Sequence, residues 1–99
     1  MKTIEEVFNA TGLAKLGYSC HLRSADDTMR VYSSMSQAAS LRIYVKGDEM
    51  RCTVYTVLPQ SLMKVEIGDI SFPHPDIMQF INQVEELYNL WIFSDWCQR

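Results

Sequence analysis

Glycine, proline and cysteine are scarce in this chain: four, three and three of 99 residues. So few glycines leave no glycine-rich phosphate loop, and neither G-x-S-x-G nor H-E-x-x-H occurs. The prolines are Pro59, Pro73 and Pro75, and none opens a linker long enough to divide the chain. Residues 1–99 therefore read as a single α+β domain. Cys20, Cys52 and Cys97 are odd in number and form no C-x-x-C, which argues against a disulfide framework and for a reducing, cytoplasmic setting. Long apolar runs are also missing. Leu90, Trp91, Ile92 and Phe93 make the longest, far below the ~20 residues of a membrane span. Glu5 and Glu6 stand where a signal peptide would need apolar residues.

What is present is a globular composition, 47% hydrophobic, with a net charge of −3. That balance excludes bulk attraction to DNA or anionic lipid. The charge is partitioned, however. Residues 1–17 are neutral, residues 18–67 carry +1, and residues 68–99 carry −4. The basic residues of the middle region fall mostly within alternating segments, and its acids mostly in turns.

The spacing Thr3-x-x-Glu6 is that of a capping box and predicts a helix over 3–16, with a weak point at Gly12 and a stop at Gly17. From Tyr18 the apolar period becomes two. Tyr18, Cys20 and Leu22 form one alternating set and Met29 and Val31 the next, which predicts two strands with these residues facing the core. Residues 33–37 read as a loop or a bulged strand end. Leu41, Ile43 and Val45, then Met50, Cys52 and Val54, flank Gly47 and Asp48. A two-residue loop with a positive φ at Gly47 fixes the hairpin register: Lys46 opposite Glu49, Tyr44 opposite Arg51, Ile43 opposite Cys52, Leu41 opposite Val54. Met63, Val65 and Ile67 predict a further strand that breaks at Gly68 and Asp69, with Ile70 and Phe72 as a short extension. After Pro73, His74, Pro75 and Asp76, the recurrence of Ile77, Phe80, Ile81, Val84, Leu87, Tyr88 and Trp91 predicts an amphipathic helix. The fold class is α+β: an N-terminal helix, a four- to five-stranded antiparallel meander, and a C-terminal amphipathic helix packed on one sheet face. The opposite sheet face is then left to solvent.

Catalytic and metal chemistry find little support. The candidate metal ligands Cys20, His21, Cys52, His74 and Cys97 lack the paired spacing of a zinc site. Cys20 and Cys52 read as small core residues and His74 as a turn residue. No cysteine is placed beside a histidine with a third group to orient it. Glu5 and Glu6 suit a first helical turn, and the other paired acids suit turns or a wet helix face. No catalytic residue, cofactor or metal ligand is assigned, and the chain reads as a non-enzyme.

Two surfaces suggest binding. Arg42, Tyr44, Arg51, Thr53 and Tyr55 should share the outward sheet face, joined by Arg30 and Tyr32 if Met29 and Val31 point inward. Arginine and tyrosine are enriched at protein hot spots, and they also stack bases and hold phosphates. The candidate partner-binding residues are therefore Arg30, Tyr32, Arg42, Tyr44, Arg51 and Tyr55. The second surface is the aromatic end of the last helix, with Trp91, Phe93 and Trp96. It exceeds one apolar stripe and must be covered by the first helix, a self-partner or another protein. The preferred reading is a small cytoplasmic protein-binding domain of inhibitor or adaptor type, such as phage or mobile-element proteins that block a host defence complex. The alternatives are a single-stranded nucleic-acid binder using the Arg/Tyr face, or a dimeric secretion-type chaperone. A protein partner is favoured over nucleic acid, a homodimer through the C-terminal helix is open, and no membrane is expected.

Overall fold

The computed structural model describes residues 2–97, with side chains described through Phe93. Helix α1 spans Ile4–Thr11 and a short 3-10 turn spans Leu13–Leu16. Strands β1 (Ser19–Arg23), β2 (Met29–Ser34), β3 (Gln37–Lys46), β4 (Glu49–Val57) and β5 (Lys64–Ser71) follow, and helix α2 spans Ile77–Cys97. The five strands pair in sequence order, β1-β2-β3-β4-β5, and every pairing is antiparallel. This is the expected α+β meander with a helix at each end.

Local chemistry accounts for most element boundaries. The Thr3 side chain accepts the Glu6 N–H at 3.2 Å, and its hydroxyl donates to the Glu6 carboxylate at 3.2 Å. Glu6 thus completes the cap through the threonine hydroxyl, and α1 stops at Gly12, where the backbone turns left-handed. At the entry to α2, His74 acts as a turn residue: its Nδ1 accepts the Asp76 N–H at 3.0 Å.

The β3–β4 hairpin has the register the alternation predicts, from Lys46 opposite Glu49 through Leu41 opposite Val54, and Gly47 has φ +62°. Both helices lie on one side of the sheet. Ile4 and Phe8 of α1 and Ile77, Ile81 and Val84 of α2 join Tyr32, Leu41, Ile43, Cys52 and Val54 in one buried cluster. Leu41, Ile43, Val54, Ile81 and Val84 are fully buried. Truncating one of the larger of them to alanine is expected to cost about 2–5 kcal/mol.

Three expectations are corrected. First, β2 shows its other side to the core. Tyr32 lies opposite Leu41 and Arg30 opposite Ile43, so both point under the helices, where they are 3% and 7% exposed. The Tyr32 ring stacks on Phe8 with centroids 3.8 Å apart. Arg30 is held by Asp27, with Nε to Oδ1 at 2.8 Å, and lies 3.8 Å from Glu5. Val31 faces the open side, opposite Arg42. Second, Cys20 is exposed, because β1 is an edge strand with all five residues exposed and a register break between Cys20 and Leu22; Cys52 is buried as expected. Third, β5 is one strand. Gly68 and Asp69 form a register shift within it, between Ile67 opposite Val54 and Ile70 opposite Cys52. Trp96 and Cys97 lie outside the described side chains.

Candidate functional site

The sheet face opposite the helices carries four of the six Arg/Tyr residues singled out from sequence: Arg42 and Tyr44 from β3, Arg51 and Tyr55 from β4. Their placement follows from the hairpin register. The core set Leu41, Ile43, Cys52 and Val54 points one way, so the alternate residues point the other. Arg30 and Tyr32 are not part of this face.

These side chains are tied to one another and to β5. The extra residue at the Gly68–Asp69 bulge re-aims Asp69 across the sheet. Its carboxylate accepts the Tyr44 hydroxyl and the Arg51 Nε–H, the latter at 3.1 Å, while Arg51 Nη2 donates to the Asp69 carbonyl at 2.8 Å. Arg51 Nη1 also lies 3.6 Å from Glu49. The hydrogen bond from Tyr44, reinforced by that from Arg51, holds the Asp69 carboxyl below the usual carboxylate range. The same bond raises the Tyr44 phenol. Arg42 sits 5.8 Å from the Tyr44 ring centroid, and Lys64 sits 4.6 Å from that of Tyr55 while pairing with Glu66 at 3.5 Å. Arg51 and Lys64 are therefore locally neutralised. Among the described residues Arg42 and Lys46, which share this face of β3, join no ion pair, so they are its cations with unspent charge.

Beside this network the open face dips into a shallow trough of about 390 Å³. His21 of β1, Val31 and Ser33 of β2, Ala38 and Ser40 of β3, and Tyr55 and Val57 of β4 line it, with Thr56 and, from α2, Tyr88. Its lining is mixed, with the hydroxyl-bearing Ser33, Ser40, Tyr55 and Tyr88 beside the apolar Val31, Ala38 and Val57. Sequence reasoning identified Tyr55 but not the trough. Its residues come from five separate elements, and only the strand order brings them together. Asp69 was also missed as a site residue, because Gly68 and Asp69 read as a strand end.

The aromatic end of α2 is the second candidate surface. Ile77, Ile81 and Val84 are buried under α2, which lies over β3, β4 and β5. Tyr88 still lines the trough beside the strands and is half-buried. Leu87, Leu90, Trp91, Ile92 and Phe93 are all exposed, so α1 does not cover them.

Among the described residues no group of three or more His, Cys, Asp or Glu is placed to hold a metal ion. No helix among the described residues is long and apolar enough to cross a membrane. Comparison with protein-family models, with curated proteins and with solved structures gives no match.

Proposed function

We propose that this chain is a non-catalytic protein-binding domain of adaptor or inhibitor type, and that it binds through the open face of its sheet. The observation that carries this reading is the set of ordered side chains on an uncovered face. Tyr44 and Arg51 are fixed by Asp69, and Tyr55 lies under Lys64 beside the trough. Side chains held in place before binding lose less rotamer freedom on binding, and tyrosine and arginine are the residues that most often carry interface energy. The neutralisation of Arg51 and Lys64 by Asp69, Glu49 and Glu66 favours a protein surface over a polyphosphate.

The test is capture of a partner from the native host, followed by binding measurements with the purified pair. Wild type should form a complex that survives gel filtration, and Tyr55→Ala or Arg42→Glu should weaken it at least about tenfold, a loss of about 1.4 kcal/mol. A complex indifferent to both substitutions would refute this face as the binding surface. Binding of single-stranded oligonucleotides, with a salt slope flattened by Arg42→Ala, would favour nucleic acid instead.

A further inference from the structure

We propose that the exposed apolar end of α2 is the interface of a homodimer, in which residues 87–93 of two copies pack against each other about a two-fold axis.

This end is apolar on more sides than one helix face needs. Trp91 and Ile92 continue the buried stripe of Ile77, Ile81 and Val84 and are 38% and 40% exposed. Leu90 and Phe93 lie on another side and are 63% and 65% exposed, with Leu87 between the two sets at 41%. A helix apolar around most of its circumference is stable in water only when something encloses it.

A second copy fits this surface in charge and in area. Residues 87–93 contain no charged side chain, so the two facing segments themselves carry no like charges, and the acids Glu85, Glu86 and Asp95 flank them. The five apolar side chains present on the order of 500 Å², near the upper end of the largest patch a monomer usually leaves exposed. Pairing two such patches buries at most on the order of 1,000 Å², the threshold for a specific interface. Such pairing is isologous, since each copy supplies the same surface, and it closes at two subunits. A membrane surface fits less well. Helices that lie on lipid carry Lys or Arg on their polar face, and residues 77–97 contain none.

Sedimentation equilibrium on the full chain is the test. The wild type should show twice the chain mass of 11.5 kDa at micromolar concentration. Leu90→Asp and Phe93→Asp place a carboxylate in the interface and should raise the dimer dissociation constant at least about a hundredfold. Both side chains are mostly exposed in the single chain, so circular dichroism and the urea midpoint of the resulting monomer should stay near wild type. Leu90→Gln, a milder change, should weaken the dimer by a smaller factor and covers the case of an aspartate variant that fails to fold. A wild type that is monomeric throughout overturns the proposal, whether or not it sediments with vesicles of anionic lipid. A dimer that persists in both aspartate variants also overturns it, because its interface then lies elsewhere. Arg42→Glu and Tyr55→Ala on the open sheet face should leave the mass unchanged.

Discussion

Glu85 of α2 accepts the backbone N–H of Ala39 in β3 at 3.0 Å. The Tyr18 hydroxyl donates to the carbonyl of the same residue at 2.7 Å. Pairing between β2 and β3 is interrupted here: Tyr32 lies opposite Leu41 and Ser34 opposite Gln37, and no β2 residue pairs with Ala38, Ala39 or Ser40. Ala39 is fully buried, so its backbone groups need partners, and two side chains replace the missing strand. Glu85→Ala should therefore cost about 1–3 kcal/mol, the range for an orphaned buried donor, and Tyr18→Phe about 1 kcal/mol. Urea denaturation of the two single variants and the double variant measures both losses. A Glu85→Ala protein with the wild-type midpoint would show that the carboxylate contributes nothing there.

Acid should loosen two carboxylate anchors, Asp69 on the open face and Asp27 at the buried Arg30. Asp69 is held below its ordinary value of 3.8 by Tyr44 and Arg51, and Asp27 by Arg30. A carboxylate with a depressed native pKa adds stability that is complete above about pH 4–5 and is lost as pH falls through the native value. The urea midpoint should thus drop on the acid side of pH 4, and Asp69→Asn should flatten that limb. In a nuclear magnetic resonance titration, Tyr44→Phe should move the Asp69 midpoint upward; an unmoved midpoint would rule out the phenol as its main support.

The two described cysteines should differ in reactivity. Burial pushes the Cys52 thiol up to about 12, whereas Cys20 is exposed on an edge strand. A thiol-specific reagent should label Cys20 in the native protein and Cys52 only on unfolding, because the thiolate is the reacting form. Mass spectrometry of timed digests reads this directly, and equal labelling rates at neutral pH would contradict the burial of Cys52.

Gly17 should tolerate no side chain. Its φ is +88°, and a Cβ there would sit 2.8 Å from the Ser34 hydroxyl, which itself donates to the Leu16 carbonyl at 2.7 Å. Gly47→Ala, at φ +62° with nothing within 4 Å, is the control. It should cost about 1–2 kcal/mol for the left-handed backbone alone. Gly17→Ala should cost more than the control in thermal and urea unfolding, since it also disturbs the half-buried hydrogen bond between the 3-10 turn and β2.

The β3–β4 hairpin was legible in sequence because two independent signals agreed, an alternating apolar set on each side and a turn dipeptide between them. With them came the outward placement of Arg42, Tyr44, Arg51 and Tyr55. The side of β2 was not legible, because both of its alternate sets have core-compatible members. What decides between them is the Phe8 ring, 24 residues away in sequence, which stacks on Tyr32. The only local hint was the spacing of Asp27 and Arg30, which lets the arginine be neutralised at its own turn and so tolerate burial. Ala39 gave no signal at all. Its partners Tyr18 and Glu85 lie in the first strand region and the last helix, and only the completed fold joins them.

The shift at Gly68 and Asp69 also settles a question of parity along β5. Ile67 and Ile70 are an odd number of residues apart, yet both pack against the core, opposite Val54 and Cys52. In an uninterrupted strand one of them would face water. The extra residue converts an odd spacing into an even one, so the sequence on either side can keep its own alternation. Length at this point therefore matters more than residue type. Deleting Gly68 would bring Ile67 and Ile70 to an even spacing with no bulge, so both halves would keep their faces, and what would be lost is the offset that sets Asp69 against Tyr44 and Arg51.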